Sequence, residues 1–371
     1  MKINSIALEN FRNYEKLELE FDEHRNIIVG ENAQGKTNLI EAMYLTAFAK
    51  SFRTNNTGDL VKFGEKLANV YIKFENDEIN KEISIVLRQD GKKMVKIDGK
   101  IAKKTADLLN NVVVIIFSPD DLRIIKDSPE KRRAYINREL SQIRPKYYEL
   151  LRNYTDVLKQ KNALLKNMNN SQNSRTFNED MLDVYDRQLS DFAYEIIRYR
   201  KEFVEMLSQD AAEIMSSISN EKEKLRIEYK TSCDYITAAE GRELLYKQFY
   251  HNRDKDLYAG YSTLGPHRDD IEFYINDTDA KKYGSQGQQR TVALSLKLAE
   301  IRIAKRLMGE SPVLLLDDVL SELDIDRQKF LVNQIDDVQL FITSAEINDE
   351  VISSLQGKLL EVDNGTIHKH D

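Results

Sequence analysis

Residues 2–8 and 16–21 alternate polar and apolar positions, as half-buried strands do, with Leu17, Leu19 and Phe21 on one face. Between them Asn10-Phe11-Arg12-Asn13-Tyr14 reads as a polar turn with an aromatic anchor. Arg25 to Val29 reads as a short buried strand. Asn38 to Ala49 reads as a helix with Leu39, Ile40, Met43 and Ala47 on one side. The two-residue period returns at 69–75, 82–88 and 93–103, with Asp98-Gly99 as a hairpin turn, so an antiparallel β-region is expected beside the strand at 25–29. Val112 to Phe117 is all apolar, the mark of a strand covered on both faces.

The period then lengthens. Ser128-Pro129-Glu130 is a helix start, with a cap, proline at the first position and acid in the first turn. From there to about residue 220 the chain reads as helical. Leu182, Tyr185, Leu189, Phe192, Ile196, Tyr199, Phe203 and Met206 keep heptad spacing. Tyr147, Leu150, Tyr154, Val157, Leu164 and Met168 keep the same rhythm, with Lys161 in one slot. Asn169 to Asn178, rich in Asn and Ser, suits a loop between them. Two helices folded back as an antiparallel coiled-coil arm, or a helical bundle, both fit. Strand patterns resume at 225–229 and 271–275, and at the apolar runs 312–316 and 338–343. A hairpin follows, 358–362 and 366–367, around Asn364-Gly365. The expected organisation is an α/β nucleotide-binding head split by an insertion: 1–120 and 223–371 form the head, and 121–222 a helical second lobe.

Gly30-Glu31-Asn32-Ala33-Gln34-Gly35-Lys36-Thr37 fits the phosphate-loop pattern between a strand and a helix. Backbone N–H groups around Gly30 and Gly35, and the positive end of the following helix, suit phosphates. Lys36 would neutralise the β/γ-phosphates of ATP, and the Thr37 hydroxyl would ligate Mg²⁺. Val313 to Leu316 ends in Asp317 and Asp318. Asp317 is the expected Mg²⁺ partner, and Asp318 the acid that positions or deprotonates the attacking water. Ser285, Gly287 and Gln288 stand in a turn that opens a long helix, 288–307, a second anion site. One nucleotide does not need two γ-phosphate sites, so this one is expected to serve a second subunit.

Composition narrows the reading. A net charge of −7 puts any polyanion binding on a local patch. The basic candidates are Lys131-Arg132-Arg133 with Arg138, then Arg198 with Arg200-Lys201, then Arg302, Lys305 and Arg306. Each could equally be a solvated helix face offset by acids. Arg12, Arg53 and Arg268 are further candidates, and His267 could be structural. The single cysteine, Cys233, excludes an internal disulfide and fits a reducing compartment, so a cytoplasmic location is expected. No apolar run approaches a membrane span.

The phosphate loop, the Ser-x-Gly-x-Gln turn and the acidic strand together resemble an ABC-type ATPase head of the SMC group. Asn10 to Tyr14, Ser51-Phe52-Arg53, Phe117 to Leu122, Gly265 to Asp270, Ser285 to Thr291 and Leu316 to Asp324 run in the order of the RecF family. The resemblance implies a weak ATPase that dimerises head to tail around two ATP molecules and binds DNA. It implies roles in recombinational gap repair, replication and SOS induction, with RecO and RecR as partners. Ser285 and Gly287 would contact the γ-phosphate held by the partner, and Ser321 to Asp324 would cross the dimer interface. Asp318 stands where glutamate is usual, which implies slow hydrolysis. Thr343-Ser344 stands where a histidine is usual, and no glutamine follows Phe117, so the γ-phosphate sensor is unassigned. A transporter-type ATPase subunit or a small-molecule phosphotransferase remain alternatives.

Overall fold

The computed structural model describes residues 1–76, 79–170, 175–233, 240–335, 337–345 and 355–370. The chain begins with β1 (Lys2–Phe11), β2 (Tyr14–Glu20), β3 (Arg25–Val29) and α1 (Lys36–Phe48). Then come β4 (Leu67–Asn76), β5 (Ile79–Arg88), β6 (Lys93–Ile97), β7 (Lys100–Ile101), α2 (Thr105–Leu108) and β8 (Val114–Phe117). The helical stretch is α3 (Pro129–Ile143), α4 (Pro145–Asn170) and α5 (Arg175–Ile218). It is followed by β9 (Leu225–Lys230), α6 (Gly241–His251), α7 (Arg253–Ala259), β10 (Asp270–Ile275), β11 (Thr278–Asp279) and α8 (Ala280–Tyr283). The chain closes with α9 (Gln286–Met308), β12 (Val313–Leu316), α10 (Ile325–Asn333), β13 (Leu340–Ser344), β14 (Lys358–Asp363) and β15 (Thr366–His370).

Two compact units emerge. The first holds 1–123, 210–223 and 285–371; the second holds 124–209 and 224–284. The first unit contains two six-stranded sheets. The antiparallel sheet has the order β2-β1-β4-β5-β6-β7. It covers its core face with Ile6, Leu8, Val70, Ile72, Ile83 and Ile85, all buried, as the alternation dictates. The other sheet, β15-β14-β3-β13-β12-β8, is parallel except for β15. Its central strands β3, β13 and β12 are near-continuous apolar runs because both faces are covered. Their carboxyl ends are where an open α/β sheet receives a ligand.

The second unit is larger than the helical lobe expected for 121–222. The antiparallel pairing of β10 with β9 on one side and β11 on the other brings 224–284 into it, because these strands complete a three-stranded sheet of their own. Here α4 and α5 run antiparallel. Tyr147 meets Arg200 and Lys161 meets Asp186, pairs whose residue numbers rise on one helix as they fall on the other. Both helices reach into the stretch expected as a loop, and 171–174 lie outside the described residues. Helix α4 also packs on α3 and α7, so it belongs to a bundle rather than to a bare two-helix arm. The reason sits in the odd heptad slot. Lys161 is fully buried between Asp186 of α5 and Asp256 of α7, at 2.8 and 2.9 Å. A buried ammonium needs such partners, and they tie three helices together.

Candidate functional site

The loop Gly30–Lys36 is held by segments far from it in sequence. Gly30 has φ +150°, and a Cβ there would lie 2.3 Å from the Val362 carbonyl oxygen, so β14 leaves room only for glycine. Gly35 has φ +126° and faces Asn13 and Tyr14 of the first turn. The Asn13 amide donates to the Gln34 carbonyl at 2.7 Å, and the Tyr14 hydroxyl donates to the Gly35 carbonyl at 3.1 Å. On the other side, the Asn364 N–H donates to Gln34 Oε1 at 2.7 Å and the Gly365 N–H to the Gln34 carbonyl at 3.1 Å. The turn of the last hairpin and the turn after β1 thus grip one glutamine. Glu31, Asn32 and Ala33 at the apex stay exposed. No local pattern in the sequence announces this grip, although the Asn-Gly turn and the Asn-x-x-Asn-Tyr stretch were both visible as turns.

Lys36 is buried, and its ammonium donates to the Gly30 and Glu31 carbonyls inside the loop. Burial lowers its proton affinity, while Asp318 and Asp317 act in the opposite sense. The Thr37 hydroxyl donates to Asp317 Oδ1 at 2.9 Å. Asp317 is pulled two ways. Burial pushes its carboxyl above the usual carboxylate range, and the hydrogen bonds from Thr37 and Thr343 hold it down. A hydroxyl and a carboxylate side by side are the hard oxygen donors that suit Mg²⁺. Among the described residues no group of three His, Cys, Asp or Glu could hold a metal ion.

Thr343 links the two acids. It ends β13, which lies between β3 and β12. Its hydroxyl donates to Asp317 Oδ1 at 3.1 Å and accepts from the Asp318 N–H at 2.8 Å. Asp318 sits at φ +55°, a left-handed conformation that aspartate tolerates at a cost. Its carbonyl accepts from Ser321 Oγ at 2.8 Å. The turn is therefore pinned from both sides, and among the described residues the Asp318 carboxylate itself takes no hydrogen bond. The segment after Phe117 closes on itself instead of offering a sensor. Asp121 accepts from the Ser118 N–H and hydroxyl, both at 2.9 Å, and pairs with Lys297.

Ser285, Gly287 and Gln288 form the amino end of α9. The Ser285 hydroxyl accepts from the Gln288 N–H at 3.2 Å while Gln288 Oε1 accepts from the Ser285 N–H at 2.8 Å, a reciprocal cap. The Gln288 amide then donates to Glu223 at 2.8 Å. Ser285 is exposed. Gly287 has room for a side chain, since the nearest atom to a Cβ would be an Arg327 nitrogen at 3.5 Å. None of the hydrogen bonds of Ser285 or Gln288 goes to the loop at 30–37 or to Asp317 and Asp318, so this turn and the phosphate loop are not brought together by direct bonding within one chain.

The basic candidates are mostly neutralised at home. Arg132 grips Asp270 through two 2.7 Å bonds, and Arg133 donates to the Asp269 carbonyl at 2.8 Å. Arg138 pairs with Glu139, and Arg198 with Glu195 and Glu202. Arg200 is fully buried on Tyr147, Asn137 and the Pro266 carbonyl. Arg302, Lys305 and Arg306 pair with Glu213, Asp337 and Asp210. Arg12 makes a two-pronged bond to buried Glu41, which Arg53 approaches at 3.6 Å. Arg268 stacks on Tyr261 and donates to the Ser262 carbonyl. Spacing had marked these residues as cations; the fold spends them on internal pairs.

Residues 2–362 match the family described as RecF/RecN/SMC N terminal domain. The chain is 41% identical over 374 residues to the DNA replication and repair protein RecF of Clostridioides difficile (strain 630), across 99% of this chain and 98% of that protein. It is 43% identical over 373 residues to the protein of the same name from Clostridium botulinum (strain Loch Maree / Type A3), across the whole of both. It is also similar to a solved structure of the recombination mediator protein RecF with ATP in the RecFOR pathway. There the TM-score is 0.91 and the identity 36%, with 100% of this chain and 98% of that one covered. An Smc head bound to the C-winged helix domain of ScpA shares the fold, with TM-score 0.56 at 17% identity.

Proposed function

This chain belongs to the RecF family and has the α/β head of ABC/SMC-type ATPases, and from that premise we propose that it is an ATP-dependent DNA-binding ATPase of DNA replication and repair. The observation that carries the ATPase reading is the cluster at the ends of β3, β13 and β12. There Thr37 and Thr343 both donate to Asp317, beside Lys36 and Asp318, whose carboxylate takes no hydrogen bond among the described residues.

In this reading the loop amides and Lys36 receive the phosphates of ATP, and Thr37 and Asp317 hold Mg²⁺, directly or through water. The ion supplies charge neutralisation on the phosphates. Asp318 orients a water and accepts its proton as the water oxygen attacks the γ-phosphorus. The bond to the bridging oxygen breaks, leaving ADP. Aspartate is one carbon shorter than glutamate and must stand closer to the water, which favours slow turnover. Ser285 and Gly287 complete the site of a partner subunit in a head-to-tail homodimer. Two features support that assignment: Ser285 is exposed, and nothing in this chain's own packing requires a glycine at 287. The dimer grips DNA at a single-/double-strand junction and hydrolysis releases it, in gap repair and SOS induction with RecR and RecO.

Sedimentation velocity with ATP and Mg²⁺, with and without a gapped duplex, tests this. The expected result is a shift to dimer with ATP and a further ATP-dependent complex with DNA. Both should be lost in Lys36→Ala. A wild-type chain that stays monomeric with ATP, or a Lys36→Ala variant that dimerises normally, would overturn the reading.

A further inference from the structure

Most arginines of the helical clusters have internal partners, and the first unit gathers a further set of cations elsewhere. Residues 92–104 carry six lysines against the single carboxylate of Asp98, in a chain whose net charge is −7. This segment is the β6–β7 hairpin, the outer edge of the antiparallel sheet. Lys93 donates to the Ala49 carbonyl. Among the described residues, the ammonium groups of Lys92, Lys96, Lys100, Lys103 and Lys104 form no ion pair. Register places Lys96 opposite Ser84 on the outward face, and Lys93 and Lys100 on the other, so the lysines fringe the edge from both sides. Even the one acid is occupied, since Asp98 accepts the Glu82 N–H at 2.9 Å.

Lysine on an edge strand has a simpler use, which is to block pairing with another sheet. The opposite edge of the same sheet argues against that as the whole account. There β2 carries Glu15, Glu18 and Glu20 against Lys16, and Lys62 and Lys16 pair with two of those acids. Protection alone would favour lysine on both edges, yet one edge is acidic with two of its acids paired, while the other is basic and, among the described residues, without ion pairs. The basic edge also offers little to a protein partner, for its exposed apolar side chains are only Met94 and Ile101, with no aromatic anchor. A row of ammonium groups along a sheet edge suits a ligand with closely spaced negative charge and no demand for shape, which is the phosphate backbone of a nucleic acid.

We propose that the β6–β7 edge is a docking surface for the sugar-phosphate backbone of duplex DNA. This rests on the DNA-binding reading above and assigns it a place. The edge positions the duplex through phosphates and reads no sequence.

The test is fluorescence anisotropy of a labelled gapped duplex with ATP and Mg²⁺, titrated across salt concentrations. The proteins are the full chain, the triple reversal Lys96→Glu/Lys100→Glu/Lys103→Glu, the milder triple change to Gln, and Lys16→Glu on the opposite edge. Removing three phosphate contacts should flatten the slope of log affinity against log salt by about three. The reversal should weaken binding tenfold or more, the Gln variant less, and Lys16→Glu should leave binding unchanged. ATP-driven dimerisation should persist in all four, since these side chains lie outside the nucleotide site. If the wild type binds DNA with ATP and both triple variants match it in affinity and slope, this edge is not the surface. Equal weakening by Lys16→Glu would also overturn the proposal, by reducing it to net charge. A wild type that ignores DNA with ATP would instead sink the DNA-binding reading, and this proposal with it.

Discussion

The two units treat buried charge in opposite ways. Among the described residues of the second unit, the large buried polar and charged groups close on partners of the same unit. Lys161 lies between two carboxylates, Arg200 makes bonds to a phenol, an amide and a carbonyl, and His267 is fastened at both ring nitrogens. In the first unit the charges around the phosphate loop are held in position but left with capacity. Lys36 rests on two carbonyls, Asp317 accepts from two threonines, and among the described residues the Asp318 carboxylate takes no hydrogen bond. Completed electrostatics rigidify a scaffold; incomplete electrostatics, held rigid by neighbours, await a ligand. The contrast also separates residues that look alike in sequence. Lys36 and Lys161 are both lysines on helices, and only one is free to exchange its carbonyl partners for phosphate.

The largest effect that would sharpen this contrast is Lys161→Met. It leaves Asp186 and Asp256 buried with one fewer cation, and stability should fall by about 3–5 kcal/mol in denaturant unfolding. ATP affinity of the folded protein should be unchanged. A drop in ATP affinity with intact stability would break the division between the units.

His267 gives a slightly smaller, pH-dependent effect. A carbonyl can only accept, so Nε2 carries the proton given to Ser262 O at 3.0 Å, and Nδ1 accepts from the Tyr154 hydroxyl at 2.7 Å. Burial lowers the pKa of the ring to about 4 from 6.5, so it is neutral at pH 7. Below pH 6.5 the unfolded chain takes up a proton that the folded chain refuses. The stabilisation is thus full above pH 6.5 and is lost as pH falls toward 4, by up to about 3 kcal/mol. Compared with His267→Gln, the wild-type melting temperature should drop between pH 7 and pH 4.5. Parallel curves would contradict the neutral assignment.

Within the first unit, Thr343→Val keeps the shape of the side chain but removes the hydroxyl between the two acids. Turnover of ATP should fall about tenfold, roughly 1.4 kcal/mol, with KM little changed. Thr343→Ser should restore it. An unaffected rate would mean that the left-handed turn at Asp318 holds without this bond.

The smallest effect is on Gly287, and its sign is the point. Alanine fits the space and is the better helix former, so Gly287→Ala should stabilise the monomer by up to about 1 kcal/mol. The same change should impair ATP-driven dimerisation if a partner's phosphate approaches there. Stabilisation with normal dimerisation would remove the argument for a trans contact.

Much of this was legible in the chain. The phosphate loop, the acidic strand end and the signature turn are local patterns. So are nearly all the strands, because period-two alternation and continuous apolar runs depend only on which faces are covered. The helix at 36–48 and the hairpin turn at Asp98-Gly99 fall where the periodicity puts them. The partners of the basic clusters were not legible, because a cation and its neutralising partner can be far apart in sequence: Arg132 and Asp270 lie 138 residues apart. The extent of the second unit was hidden for the same reason, since β9 and β10 pair across an intervening pair of helices.

Periodicity by itself determined the alternation of strands and helices in the head, and local motifs marked Gly30–Thr37 and the strand end at Asp317 and Asp318 as the expected nucleotide site. These follow from side-chain chemistry within a few residues. Tertiary structure alone decided that Asn13, Tyr14, Asn364 and Gly365 grip the loop, that Thr343 joins the two acids, that Lys161 is a buried tie, and which lysines remain unpaired. Each of these is a contact between segments distant along the chain. Its energy depends on distance and burial in three dimensions, which no local pattern encodes.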